Sequence, residues 1–479
     1  MSIFSNQISD LVNKANRLRD VCEWQKALSL YLKVAEEIRY SSSIIHNIGL
    51  CYLGLGNPRL AIESCNVALN ITPQLWQSLI VIAKAHKSLG NILSAENYYK
   101  RVLLIDAMNG DALLGLADLE INEFGNPLYA KHLLTPLKDN PIYTVDATLT
   151  DLMASIYDRD ESAESLTRRV FEFSASHLQL DPSSFPSKLK ESNHKAKFQK
   201  IRIGLLSPSF CNSPVYFLTI NFFIRLAEHY DIVIFNRGAR VDWATEEFKK
   251  IAQSWHDLSG FNAESIANTI MQEHIDILYD LGGWMDPVGL KAISVKPATK
   301  QYKWVGGQSI TTGLNCFDGW FGDEWQSPQS LQKFYSEPLV NLGDDYANYC
   351  PPIYLPKPAH KKSNGLAVFS NPAKLSRLFL STLADIGGKV CFIHRQYSYQ
   401  KVRDRIEAVL GSENVSYICP ESHLDALNAV NRFSHVIDTF PYSSGLTARE
   451  VVAMGSKVRV LRVGQLFSER HSARYYSSD

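Results

Sequence analysis

"SHVIDTFPYSSGLTAREVVAMGSKVRVLRV", residues 434–463, holds a strand, a turn, a helix and a second strand in thirty positions. The apolar run 434–440 reads as a strand, residues 447–454 as a helix, and "KVRVLRV" (457–463) as the next strand. A strand joined to the next through a helix predicts a parallel sheet covered on both faces. The turn between strand and helix is built of small residues: Ser443, Ser444, Gly445 and Thr447. Two readings fit it. Small residues let backbone N–H groups approach an anion, and the helix N-terminus behind them favours a diphosphate. Equally, it is a capped turn with Thr447 as N-cap.

The same alternation extends upstream. "GLAVFSN" (365–371), "KVCFIH" (389–394) and "VSYICP" (415–420) read as strands, with helical stretches at 375–386, 398–410 and 422–432 between them. Before the proline-rich "PPIYLPKP" (351–358) lies another such series. Its strands are "IRIGLLS" (201–207), "YDIVIFN" (230–236), "IDILYDL" (275–281) and "QYKWVGG" (301–307), with helices at 215–229, 243–254 and 263–273. Two doubly wound domains are predicted, 201–350 and 351–479, facing across a cleft. Ligands of such sheets sit beyond the carboxyl ends of the strands.

The first 140 residues are a repeat. Ala15, Leu18, Ala27, Tyr31 and Val34 recur as Gly49, Tyr52, Ala61, Cys65 and Ala68, and again as Ala83, His86, Ala95, Tyr99 and Val102, each set 34 residues after the last. That is the tetratricopeptide period. A fourth, poorer unit runs through Ala117, Gly125-Asn126-Pro127 and Ala130. Such arrays present a concave face to a peptide or protein, or brace a neighbouring domain. Residues 141–200 form a bridge, helical to about Leu178 and then a Pro- and Lys-rich linker.

Lys+Arg and Asp+Glu both number 49, so bulk charge favours neither nucleic acid nor an anionic membrane. Eight cysteines are scattered without a CxxC pair or zinc spacing. Cys51, Cys65, Cys316 and Cys391 sit in apolar segments and read as buried free thiols of a reducing compartment. The opening MSIFSNQISD lacks signal-peptide layout, and no apolar run is long enough for a membrane span. A cytoplasmic protein is expected.

With the repeats in front, four stretches resemble glycosyltransferase family 41, the protein O-GlcNAc transferases and their bacterial relatives. They are "ILYDLGGW" (277–284); "KPATKQYKWVGGQSITTGLNCFDGWFGDEWQSP" (296–328) with "FYSEPLVNL" (334–342); "VFSNPAKLS" (368–376); and "DTFPYSSGLTAREVVAMG" (438–455) with "FSERHSARY" (467–475). The resemblance implies a GT-B fold, two Rossmann-like domains after a tetratricopeptide solenoid. It implies an inverting transfer of a hexose or N-acetylhexosamine from a UDP-sugar to a protein side chain brought in by the repeats. The donor is a co-substrate, and neither a metal nor another cofactor is expected.

Roles transfer by position. Lys374 matches the lysine on the nucleotide diphosphate, where a cation offsets charge building on the departing UDP. Asn371 stands at a nucleotide-contact position usually Gln. His423 in "CPESH" matches a histidine stacked near uridine. Ser444, Gly445 and Thr447 match the diphosphate turn, and Glu450 the acidic residue on ribose.

Several positions depart from the family. Ser213 stands before Pro214 where the family has histidine, which removes a His base there. The family's His-Thr-Thr turn is Gly445-Leu446-Thr447, so its imidazole is gone as well. Asp280, at a strand's carboxyl end, is the best remaining candidate for a catalytic base; otherwise it bonds a nearby loop. Asp344-Asp345 reads as a turn rather than a DxD metal site. The rival reading is a non-catalytic, transferase-like adaptor, acting through its repeats in a homo- or hetero-oligomer.

Overall fold

The computed structural model describes residues 2–38, 41–185 and 200–476. Two compact units emerge, Met1–Asp151 and Leu152–Asp479.

The first unit is a stack of helix pairs: α1 (Ser2–Asp20) with α2 (Trp24–Glu37), α3 (Ser42–Gly54) with α4 (Pro58–Ile71), α5 (Trp76–Ser88) with α6 (Ile92–Ile105), and α7 (Gly110–Asn122) with α8 (Pro127–Leu134). Helices α3, α5 and α7 begin 34 residues apart, as do α2, α4 and α6, matching the sequence period. The repeated small positions are the packing points. Ala15, Ala27, Ala61, Cys65, Ala68, Ala83, Ala95 and Ala117 are all 0% exposed. At Gly49 an added Cβ would come within 2.6 Å of Cys65 Sγ, so the glycine is what lets α3 lie against α4. Two more helices follow, α9 (Thr144–Ser155) and α10 (Ala163–His177). The greater part of the expected linker, 186–199, lies outside the described residues.

The second unit contains two parallel sheets. The first takes β1 (Arg202–Ser207), α11 (Pro214–Ala227), β2 (Asp231–Asn236), α12 (Trp243–Ile251), β3 (Ser254–Asp257), α13 (Ala263–Gln272), β4 (Ile277–Asp280), α14 (Pro287–Ile293), β5 (Lys300–Lys303), β6 (Gly319–Gly322) and β7 (Leu339–Asn341). The second takes β8 (Ser363–Val368), α15 (Arg377–Ile386), β9 (Val390–Ile393), α16 (Gln400–Leu410), β10 (Val415–Ile418), α17 (His423–Val430), β11 (Phe433–Ile437), α18 (Leu446–Ala453) and β12 (Lys457–Arg459). Their orders are β3-β2-β1-β4-β5-β6-β7 and β10-β9-β8-β11-β12. Every pairing is parallel. The central strands are apolar on both faces because helices cover both: Leu205, Val233, Ile234 and Phe235 in one sheet, and Ala367, Phe392 and Ile393 in the other, are 0% exposed. In each sheet the strand order reverses beside its first strand, between β1 and β4 and between β8 and β11. Such a reversal opens a crevice at the carboxyl ends.

Three expectations need correction, and two short strands were not foreseen. The helix expected over 243–254 ends at Ile251, and 254–257 form the edge strand β3. The short strands β6 and β7 lack the apolar run that would mark them. The strand expected over 457–463 ends at Arg459. Residues 464–476 also do not belong wholly to the second domain. They run as a strap onto the first, where Phe467 packs edge-on against Trp320 (ring centroids 5.1 Å apart) and Ser468 N–H donates to Ser309 O at 2.8 Å.

Cys51, Cys65 and Cys391 are buried and Cys316 only partly so; all eight cysteines are free thiols.

Candidate functional site

The crevice between β8 and β11 collects most of the nominated residues. Asn371 and Lys374 follow β8, and the turn 438–447 follows β11. The turn is held from within by Asp438, which is 5% exposed. Its Oδ1 accepts Ser444 N–H at 2.9 Å, and its Oδ2 accepts the hydroxyl of Ser472 from the strap. Burial pushes the Asp438 carboxyl above the usual carboxylate range, against the pull of those bonds and of Lys374. Ser443 ties the other side: its N–H and hydroxyl both donate to Ser468 O at 2.8 Å, and its Oγ accepts His471 N–H at 2.8 Å.

Helix α18 begins at Leu446, with Gly445 in the N-cap position and no side-chain cap. Thr447 lies inside the first turn, so the alternative of a Thr447 cap does not hold. A helix start without a side-chain acceptor keeps N–H donors available to a ligand, and the helix dipole favours an anion there. Thr447, like Ser444, borders a small cavity under the turn with Asp438 and Phe369.

Lys374 reaches this turn. Its Nζ donates to Ser443 O at 3.0 Å and lies 4.7 Å over the Tyr442 ring. Burial pushes the ammonium down to about 8, with Asp438 acting the other way. A lysine ammonium has three donors, and one of Lys374's goes to Ser443 O. Asn371 uses its side-chain oxygen to accept Ala373 N–H at 2.6 Å, capping the 3-10 turn that carries Lys374.

His423 and Glu450 meet. His423 Nε2 lies 2.9 Å from Glu450 Oε1, and its Nδ1 is 3.0 Å from the Tyr354 hydroxyl. Glu450 is 0% exposed, and burial raises its carboxyl above the usual range, with His423 opposing. The approach has ion-pair distance without hydrogen-bond alignment, so both carboxylate oxygens retain accepting capacity. The His423 ring also lies 6.2 Å from Phe217 of the first half.

Asp280 is not with this group. It is 2% exposed at the end of β4, where its Oδ1 accepts Gly282 N–H at 2.9 Å and Gly283 N–H at 3.1 Å. Lys303 Nζ lies 3.4 Å from Oδ2. The expectation of a base is therefore corrected to the loop-holding alternative, because the carboxylate is saturated by its own turn and closed to solvent. Ser213 is likewise committed, donating from Oγ to Ser209 O at 2.8 Å.

Several contributors were not singled out from the sequence: Asp438, Tyr442, His471 and Ser472. Asp438 and Tyr442 stood in the quoted stretch, but nothing local marks which side chains turn inward. Asp345, read as a turn residue, receives Arg449 Nη2 at 2.5 Å and Arg474 Nη1 at 2.8 Å. It thereby joins the first half to α18 and to the strap. Tyr157 stacks on Tyr442 with centroids 4.9 Å apart, backing the ring that carries Lys374.

Residues 175–347 match the model of glycosyl transferase family 41, and 42–75 and 77–107 match tetratricopeptide repeats. The probable UDP-N-acetylglucosamine–peptide N-acetylglucosaminyltransferase SPINDLY of Petunia hybrida is 26% identical over 288 residues, 55% of this chain and 30% of that protein. The probable transferase SEC of Arabidopsis thaliana is 29% identical over 175 residues, 36% of this chain and 18% of its own length. The chain thus spans under a third of the curated relatives it matches. An O-GlcNAc transferase of Thermobaculum terrenum, solved as a point mutant, superposes with TM-score 0.79 at 19% identity, covering 91% of this chain and 85% of that one. The shared fold is tetratricopeptide repeats followed by the two sheets of a GT-B enzyme. Among the described residues no helix is long and apolar enough to cross a membrane.

Proposed function

We propose that this chain is an inverting protein glycosyltransferase that takes a UDP-sugar as donor and a protein side chain as acceptor. The observation that carries the reading is the meeting, at one sheet crevice, of the Lys374 ammonium, the uncapped start of α18 and the buried Glu450 beside His423. The names of its family 41 relatives support it. In this reading the diphosphate lies against Ser444, Gly445 and Thr447, Asn371 borders the nucleotide, and Glu450 accepts from ribose hydroxyls next to the His423 ring.

Lys374 supplies the catalytic charge. As the bond between the anomeric carbon and the diphosphate oxygen breaks, negative charge grows on UDP. An ammonium already desolvated beside it stabilises that charge more than water can. The acceptor hydroxyl or amide attacks the opposite face, which inverts the anomeric carbon, and its proton passes to the departing diphosphate or to solvent. With Ser213 and Asp280 both committed internally, the first half contributes positioning. Lys374 and the helix terminus supply the positive potential, and no metal or further cofactor enters the scheme. The acceptor protein is recruited by the repeats, in a reducing compartment such as the cytoplasm, consistent with eight free thiols.

The test is calorimetric titration of the full chain with UDP, UDP-GlcNAc and UDP-glucose, with GDP as the base control and Lys374→Ala as the site control. UDP binding that is lost in the variant is the expected result. Stronger binding of GDP would reassign the base. No nucleotide binding at millimolar concentration would overturn the reading in favour of the adaptor, which the commitment of Ser213 and Asp280 also favours.

A further inference from the structure

The ring of His471 takes part in no bond described so far. It is 9% exposed, lies on the strap, and packs edge-on against Phe467 (centroids 5.2 Å apart) and tilted against Tyr442 (5.7 Å). Its backbone is tied into the turn through Ser443 Oγ. Yet its ring Nδ1 is buried and has no hydrogen-bond partner. Leaving a buried polar atom unpaired is destabilising, and the aromatic neighbours of this ring would accept a leucine without that penalty.

The ring faces the diphosphate turn. An atom placed where Gly445 would carry Cβ lies 3.8 Å from His471 Cγ and 4.0 Å from Nδ1. Gly445 is the position where the resembled family carries the imidazole of its His-Thr-Thr turn. An imidazole supplied from the strap thus lies beside the point where a side chain at position 445 would begin.

We propose that His471 is a further binding residue of the donor subsite, donating a ring N–H to a diphosphate oxygen over Gly445 in place of the absent turn histidine. The proposal rests on the nucleotide-sugar reading above. The imidazole stays uncharged while doing so: burial, with Lys374 and Arg449 nearby, pushes it down to about 3. A neutral ring carries one N–H donor. It adds a directional bond beside the Lys374 charge and no second cation. Its contact is with phosphate, so it acts on nucleotides and leaves nucleosides alone.

The test compares His471→Leu, which keeps volume and removes both nitrogens, with His471→Asn, whose amide restores a polar group near Nδ1. UDP and uridine are titrated calorimetrically into each full-length variant, and Tm is recorded without ligand. His471→Leu is expected to weaken UDP roughly tenfold, leave uridine unchanged and raise Tm, because the unpaired polar atom is gone. His471→Asn is expected to hold UDP within a few-fold of the wild type. Unchanged UDP affinity in the Leu variant, with normal wild-type binding, would overturn the proposal and leave the proposed function standing. Equal loss of UDP and uridine would also overturn it, reducing His471 to a prop for the turn. If the Leu variant does not fold, His471→Ala takes its place: a roughly tenfold loss of UDP with uridine unchanged supports the subsite. Unchanged UDP affinity in His471→Ala overturns it. Failure of wild-type protein to bind UDP removes the nucleotide-sugar reading and this proposal together.

Discussion

Each half of the second unit has a loop where a parallel sheet ends, and the two loops are built to opposite ends. In the first half, Lys303 is 0% exposed and donates to Asp280 O at 3.0 Å and to Val305 O and Gly306 O at 2.7 Å. Glycines then let the loops after β4 and β5 cross: a Cβ on Gly306 would stand 1.9 Å from Leu281 O, with φ at +44°. Every charge there is spent on its own backbone. In the second half, Lys374 gives one bond to Ser443 O, Glu450 keeps accepting capacity, and His471 Nδ1 is unpaired. A sheet end whose buried lysine and aspartate are answered from within is a support. One that leaves several unanswered is where a ligand completes the bonding.

One substitution made in both places tests that contrast most severely. Lys303→Met should cost about 3–5 kcal/mol in denaturant unfolding, because it strands the buried Asp280 carboxylate without its counter-charge. Lys374→Met should leave unfolding within about 1 kcal/mol of wild type and weaken UDP roughly 10- to 100-fold by calorimetry, the scale of a charge-assisted bond. Similar unfolding costs for the two would erase the distinction between support and site.

A pH series sharpens it further. Lys374 is held down to about 8 in the free protein. It is charged and attractive to a diphosphate below that value, and neutral above it. UDP affinity should therefore fall as pH rises through 8, by up to about tenfold one unit above it. The dependence should vanish in Lys374→Met. A flat profile in wild type would place the ammonium away from the phosphates.

The smallest effect is expected at Tyr157→Ala. It removes the stack behind Tyr442, worth about 0.5–1.5 kcal/mol, and should weaken UDP about threefold with uridine unaffected. An unchanged UDP titration would separate the bridge from the site.

Much of this architecture was legible in the chain because its signals are periodic. A 34-residue recurrence of small residues marks the helix pairs, and apolar runs alternating with helical stretches mark the central strands. Three short strands were not legible: β3, β6 and β7 are only partly apolar, so nothing in their period separates them from loops. In the candidate site, the sequence could group side chains that sit in or near a recognisable turn, as with Lys374, Thr447 and Glu450. The site was not legible where distant segments meet. Nothing near Asp438 in sequence announces that Ser472 will bond it, nor that Asp345 will join Arg449 to Arg474. Asp280 misled because a strand-end carboxylate looks the same whether it faces a ligand or its own loop. Only the fully buried Lys303 beside it decides between the two.

The strap also bears on how the protein is made. Both sheets, from Arg202 to Arg459, leave the ribosome before the strap does, and domains generally fold in the order they emerge. The two halves can thus be largely formed while the turn at 443–445 still lacks Ser468, His471 and Ser472. On the function proposed above, the nascent chain then gains a complete donor turn only after both sheets are in place.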